Sequence, residues 1–390
     1  MLFKTRMGKV FTIFMFFAAA MLVVSCAPKD RIAQGQLDTP EHHVYTGLKL
    51  LGEEKYADAQ REFELAIQLD AKYSKGYTGV GLVKIYTGDF DAAEDYLKKG
   101  WNKANNDEDR IFVHVSRIRY YTQSKIEKKW LKLSKSEFDD AIKLDPNHAP
   151  AYYFMGLAYK AGLEFSQGGL MFTKVLELKS EYVSEADVQW NFIQKVQRAM
   201  PGTTTGKQIA LVESLTRADA AALFMEEFKI ETLYKKRTPK TYDNSFKDPE
   251  KAAAAAKPDK ITAKDIGDNP LRTDIEGILK LGVRGLETYP DGNFHPAEQV
   301  TRAAYAMMIE DILIKVSGDN SLATKFIGTN SPFPDLRSDL PYFNAVMVVT
   351  SRGIMEAKDL TTAEFEPLSP VAGVDALLII RKLKQELKFD

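Results

Sequence analysis

The sequence predicts an all-α protein: an array of helical hairpins followed by a mainly helical domain of three repeated units. Two observations carry this. Between residues 40 and 182, small and aromatic residues recur at a period of about 34 residues, so that Gly47 returns as Gly81 and Ala59 as Ala93. From Asp265 onward, a helical stretch, a turn-rich loop and a second helical stretch are spelled out twice, with a worn third copy upstream.

The first element precedes both repeats. Lys4, Arg6 and Lys9 are followed by an uncharged run from Val10 to Val24 and then by Ser25-Cys26-Ala27-Pro28. A basic start, a short apolar run and a small-residue boundary are the order of a secretory signal, and the run is shorter than the roughly 20 residues of a spanning helix. The string LVVSC resembles the lipobox of bacterial lipoproteins. That resemblance implies a cleaved signal peptide over 1–25, acylation of Cys26 and a lipidated linker over 26–39. With Ala27 rather than Asp after the cysteine, it also implies an outer-membrane anchor. Several acyl chains, at about 0.8 kcal/mol per buried methylene, hold a domain beside a bilayer without crossing it. Cys26 is the only cysteine, so packing and not disulfides must stabilise the exported chain.

Composition bounds the rest. With 390 residues, 45% of them hydrophobic and 27% charged, the chain can bury cores for two or three domains. Lys and Arg total 53 against 54 Asp and Glu, which leaves no basic excess for phosphates and argues against nucleic acid as a partner.

Within the array, Phe63 corresponds to Leu97 and Ala66 to Gly100. The scheme returns through Phe138, Ala141, Pro146, Gly156 and Tyr159, then Gly168 and Phe172. Small side chains at Gly47, Ala59, Gly81, Ala93 and Gly156 let helices approach closely, and Phe63, Phe138 and Phe172 fill the layer between them. Residues 105–132 lack the small residues at their usual places and read as a divergent or lengthened repeat. Residues 40–182 resemble the tetratricopeptide (TPR) repeat. The resemblance implies a stacked superhelix whose concave face takes a protein partner.

The second half carries Asp265, Pro290-Asp291-Gly292, Phe294 and Pro296 before Thr301-Arg302-Ala303. A second copy has Phe333, Asp335, Gly353-Ile354, Phe365 and Pro367, and the worn copy keeps Thr216-Arg217-Ala218-Asp219. This pattern resembles the S-layer homology domain, with units over 183–235, 263–316 and 331–390. Between the first two, the Lys/Pro/Ala-rich stretch 236–262 reads as a linker. The resemblance implies closure of three units around a pseudo-threefold axis, with grooves between neighbours that hold an acidic, peptidoglycan-linked wall polysaccharide.

Thr216 and Thr301 are placed to cap helices, and Arg217 and Arg302 follow them at helix starts whose free amides favour anions. The resemblance assigns glycan contact to these arginines, with Thr216, Thr301, Asp291, Gly292 and Asp335 around them. The competing reading is that each arginine braces its repeat by pairing with a carboxylate of the next unit, and that Asp291, Gly292 and Asp335 are turn and helix-start residues. The last unit departs from the pattern, with Ala372 and Gly373 where Thr301 and Arg302 stand, and so lacks its arginine.

No catalytic motif stands out. The five histidines, at 42, 43, 114, 148 and 295, show no metal-ligand spacing, and Gly202 to Gln208 is too short for a phosphate loop and reads as a turn. The expectation is a non-enzymatic envelope lipoprotein, without cofactor or metal, that links a membrane to wall polysaccharide and recruits a protein. The alternative is a periplasmic assembly lipoprotein whose two halves both bind protein.

Overall fold

The computed structural model describes residues 32–237 and 263–389. The expected signal segment 1–25, Cys26 and residues 238–262 lie outside them. The described chain is helical, with strand geometry limited among these residues to isolated bridges. It divides into two compact units, Met1–Val188 and Gln189–Asp390.

The first unit is built of antiparallel hairpins: α1 (Pro40–Gly52) with α2 (Tyr56–Leu69), α3 (Ser74–Tyr86) with α4 (Phe90–Lys103), α5 (Asp107–Ser124) with α6 (Trp130–Leu144), and α7 (Ala149–Ala161) with α8 (Phe165–Leu178). The period is visible in how they close. Phe63 is fully buried between two glycines of neighbouring first helices; a Cβ at Gly47 would come within 2.7 Å of its ring, and one at Gly79 within 2.2 Å. Phe172 fills the same role against Gly156, where a Cβ would come within 2.6 Å. Each such ring contributes up to about 3 kcal/mol by burial, and only a glycine opposite lets it reach that depth. Thr39, Asp89, Asn106 and His148 cap α1, α4, α5 and α7 by accepting hydrogen bonds from amides of the first turn. The irregular stretch 105–132 is a lengthened hairpin: α5 has 18 residues where α1, α3 and α7 have 13 each.

The second unit follows from within α9 (Val183–Ala199) and holds α10 (Thr204–Ile209), α11 (Arg217–Ala222) running into a π-turn at Leu223–Glu227, α12 (Ile230–Arg237), α13 (Arg272–Leu281), α14 (Arg302–Ser317), α15 (Phe343–Ser351) and α16 (Gly373–Glu386). Residues 202–208, expected as a turn, partly form α10. Thr203 caps it by accepting from Gly206 N at 2.9 Å, and the Glu227 carboxylate holds the residues before it, accepting from Gly202 N at 3.1 Å and Thr203 N at 2.7 Å.

Three buried residues tie the units at their centre. Leu215 N donates to Val371 O (2.7 Å), Val371 N to Val300 O (3.1 Å) and Val300 N to Leu215 O (2.8 Å). Each residue immediately precedes the cap of a helix, at Thr216, Thr301 and Ala372. The three hydrogen bonds close a ring that joins these three segments of the second unit.

Candidate functional site

Around that ring, each loop docks on the start of the preceding unit's second helix. Arg217 N and Ala218 N donate to Glu298 O (2.9 Å) and Pro296 O (3.1 Å), and Arg302 N and Ala303 N donate to Ser369 O (2.9 Å) and Pro367 O (2.9 Å). The helix-start amides expected to be free for an anion are therefore occupied by the next unit's loop. Thr216 forms a full capping box with Asp219, and Thr301 accepts from Ala304 N at 3.2 Å.

The arginine side chains continue the docking. Arg217 is 6% exposed and donates from Nε to Phe294 O (2.8 Å), from Nη1 to Gly285 O (2.5 Å) and from Nη2 to Glu287 O (2.7 Å), with its plane over the rings of Tyr289 and Phe294. Arg302, also 6% exposed, donates from Nε to Phe365 O (2.7 Å) and from Nη2 to Glu356 O (2.6 Å), over the Phe365 ring. Burial lowers the pKa of Arg302, against the raising influence of Asp375, Glu366 and Asp335. Bracing does occur, but on backbone carbonyls rather than carboxylates; the nearest acid to Arg217, Glu298, is 4.0 Å away.

Asp335 and its counterpart Asp265 perform a second docking task. Asp335 accepts from Phe365 N (2.9 Å) and Glu366 N (2.7 Å), and Asp265 accepts from Phe294 N (2.7 Å) and His295 N (2.8 Å). These bonds bury Phe294 and Phe365 beneath the loops. Burial opposes the lowering, but the amides of Phe294 and His295 hold the Asp265 carboxyl below the usual carboxylate range. Asp291 accepts from Asn293 N (2.8 Å), and Gly292 turns the chain at φ +81°. Asp291, Gly292 and Asp335 line neither of the clefts that the arginines line.

Two clefts open beside the arginines, and they differ in furnishing. The Arg217 cleft, about 320 Å³, has Tyr289, Glu287, Glu298, Met307 and Met308 in its wall. The Arg302 cleft, about 490 Å³, brings together Lys195, Arg198, Lys358 and Lys382 with only Asp375 and Glu356 to balance them. Lys195 bonds Asp375 at 2.9 Å, and Arg381 donates to Arg198 O. The four flanking cations were not singled out in the sequence. Lys195 lies more than a hundred positions before Arg302, and an isolated helix lysine carries no signal of its own. At the third junction Gly373 N donates to Val212 O (2.9 Å), and a Cβ there would fall 1.8 Å from Ile209 O. Close backbone contact takes the place of an arginine.

Residues 286–306 match the family model of the S-layer homology domain, and they contain the loop and helix start just described. Among solved structures, that of YrrB, a TPR protein with an unusual peptide-binding site, is similar at 15% identity over 40% of this chain and 93% of YrrB, with a TM-score of 0.19. No curated protein matches the chain. The described chain thus combines an array of helical hairpins with a second helical unit that contains a match to the S-layer homology domain. The S-layer homology module implies association with the cell envelope, and no described helix is long and apolar enough to cross a membrane.

Proposed function

We propose that this chain is an envelope lipoprotein, acylated at Cys26, whose C-terminal repeats hold an acidic wall polysaccharide while the helical array binds a protein. The observation that carries the reading is the Arg302 cleft: five cationic side chains converge there on a concave, partly apolar wall. A carboxylated polymer meets charge-assisted donors in that setting. Arg302 shapes the cleft floor and supplies long-range charge, because two of its donors already hold carbonyls. Direct contact falls to Lys195, Lys358 and Lys382, whose side chains are 45%, 40% and 39% exposed. Arg217, Thr216, Thr301, Asp291, Gly292 and Asp335 act through the framework that holds the loops.

The test is co-sedimentation of the chain from Ala27 to Asp390 with purified sacculi, before and after their attached polysaccharide is stripped. Polysaccharide-dependent binding that is lost when Lys195, Lys358 and Lys382 are changed together to Gln supports the reading. If intact sacculi retain nothing, the repeats are a scaffold and both halves serve protein partners.

A further inference from the structure

The helical array carries a cleft of its own, on the side away from the stacked first helices. First helices α3 and α5 pack together, whereas second helices α4 and α6 stand apart and leave a space of about 630 Å³ floored by α5. Its wall contains Trp101 of α4, Arg110, His114 and Arg117 of α5, and Glu137, Asp140 and Lys143 of α6, so three permanent cations stand against two carboxylates.

His114 is the residue that sets this hairpin apart. It is the eighth residue of α5, the place held by Gly47, Gly81 and Gly156 in α1, α3 and α7. Where the other hairpins have a hydrogen atom that lets the helices close, this one has an imidazole only 7% exposed. Its Nδ1 is fixed on Glu137 Oε2 at 2.6 Å, and its Nε2 has no partner among the described residues. Arg117 reaches the other Glu137 oxygen at 3.5 Å and covers one face of the Trp101 indole, 5.3 Å from the ring centroid. Arg110 and Lys143 complete the cationic wall; their own partners Asp107 and Asp140 are exposed.

A site of this kind suits a ligand that brings hydrogen-bond acceptors and negative charge. Because Arg117 occupies an indole face, the platform on which a sugar ring would stack is reduced, which favours an acidic peptide over a glycan. We propose that the cleft between α4 and α6 binds an acidic segment of a protein partner, with Arg117 and Lys143 contacting its carboxylates. This rests on the reading of the array as a protein-binding module, but it moves the contact from the concave face to the opposite one.

The probe is fluorescein-labelled hexaglutamate, titrated against the full chain in non-ionic detergent and followed by fluorescence anisotropy. Saturable binding is expected, weakened about tenfold by Arg117→Gln, which removes a charge-assisted donor. Lys143→Gln should weaken it about threefold, as a solvent-exposed charge does. Lys388→Gln, the same charge change at an exposed C-terminal position, should leave it unchanged. Absence of saturable binding, equal binding of hexaglutamine, or equal loss in Lys388→Gln overturns the proposal. If Arg117→Gln loses helical circular dichroism, Lys143→Gln decides, and full affinity there is a refutation. A chain that fails to bind hexaglutamate yet still recovers a defined protein partner sinks this site alone and not the role of the array.

Discussion

Arg217→Ala tests whether the repeat arginine is a structural clamp. The guanidinium donates to three backbone carbonyls of the next unit, those of Phe294, Gly285 and Glu287, from a position 6% exposed. Truncation leaves all three without that donor. Water entering the adjoining cleft can satisfy part of the loss, so we take about 1 kcal/mol per carbonyl, the low end for a stranded buried acceptor, or about 3 kcal/mol in all. In a unit of this size each kcal/mol moves the melting temperature by about 2–4 °C, so the C-terminal transition should fall by about 6–12 °C. Scanning calorimetry of the chain from Ala27 resolves the effect, because the N-terminal unit carries none of these bonds. Arg217→Lys should recover only about a third, since an ammonium cannot reproduce the fork. If Arg217→Ala shifts neither transition by more than about 1 °C, the guanidinium is not a clamp and direct ligand contact becomes its better explanation.

Four further outcomes follow from the structure. Gly373→Ala places a Cβ 1.8 Å from Ile209 O, a backbone atom, and 2.8 Å from the Val212 side chain, and should cost the C-terminal unit about 3 kcal/mol or more in a denaturant titration. Gly318→Ala, at φ +72° with open space around it, should cost only about 1 kcal/mol. Phe63→Ala empties the space between Gly47 and Gly79 and should cost about 3–5 kcal/mol, read on the N-terminal transition. His43 bridges Asp38 at 2.8 Å and Glu62 at 2.6 Å; burial lowers its pKa, but the two carboxylates outweigh burial and raise it above 6.5. Its contribution is therefore complete below pH 6.5 and lost as pH rises through the raised folded value. The N-terminal transition should be higher near about pH 6 than near about pH 8, by a margin that His43→Gln reduces.

The helical array was legible because its signal is steric and local. A glycine at Gly47 or Gly156 and a phenylalanine at Phe63 or Phe172 are two halves of one contact, repeated at fixed spacing. The lengthened hairpin was visible only as missing small residues, and nothing in the sequence said that His114 had taken the glycine's place. In the second unit the helix starts were legible at the strings that cap them, Thr216-Arg217 and Thr301-Arg302. The use of those strings was not, because hydrogen bonds from a side chain to distant carbonyls leave no mark on the residues that accept. Phe294, Gly285 and Glu287 would offer the same carbonyl whatever their side chains. The cations of the Arg302 cleft were hidden for a related reason: Lys195, Lys358 and Lys382 come from three separate segments and share no spacing.

Sequence symmetry and functional symmetry part company in this domain. The ring formed by Leu215, Val300 and Val371 treats the three units alike, and so do the loop contacts at Arg217 and Arg302. The clefts outside it do not. At the Arg217 junction, one arginine already committed to three carbonyls faces Glu287 and Glu298, so an acidic polymer meets carboxylates there. At Gly373 the backbone of Ile209 fills the position an arginine would need. Of the two clefts beside the arginines, the one at Arg302 has more cations than acids, so polysaccharide retention should behave as a single class of site. Removing Lys195, Lys358 and Lys382 should abolish retention while Glu287→Gln and Glu298→Gln leave it intact or strengthen it. A retention that survives loss of the three lysines would place the polymer elsewhere on the domain and remove the support this cleft gives to the wall-binding reading.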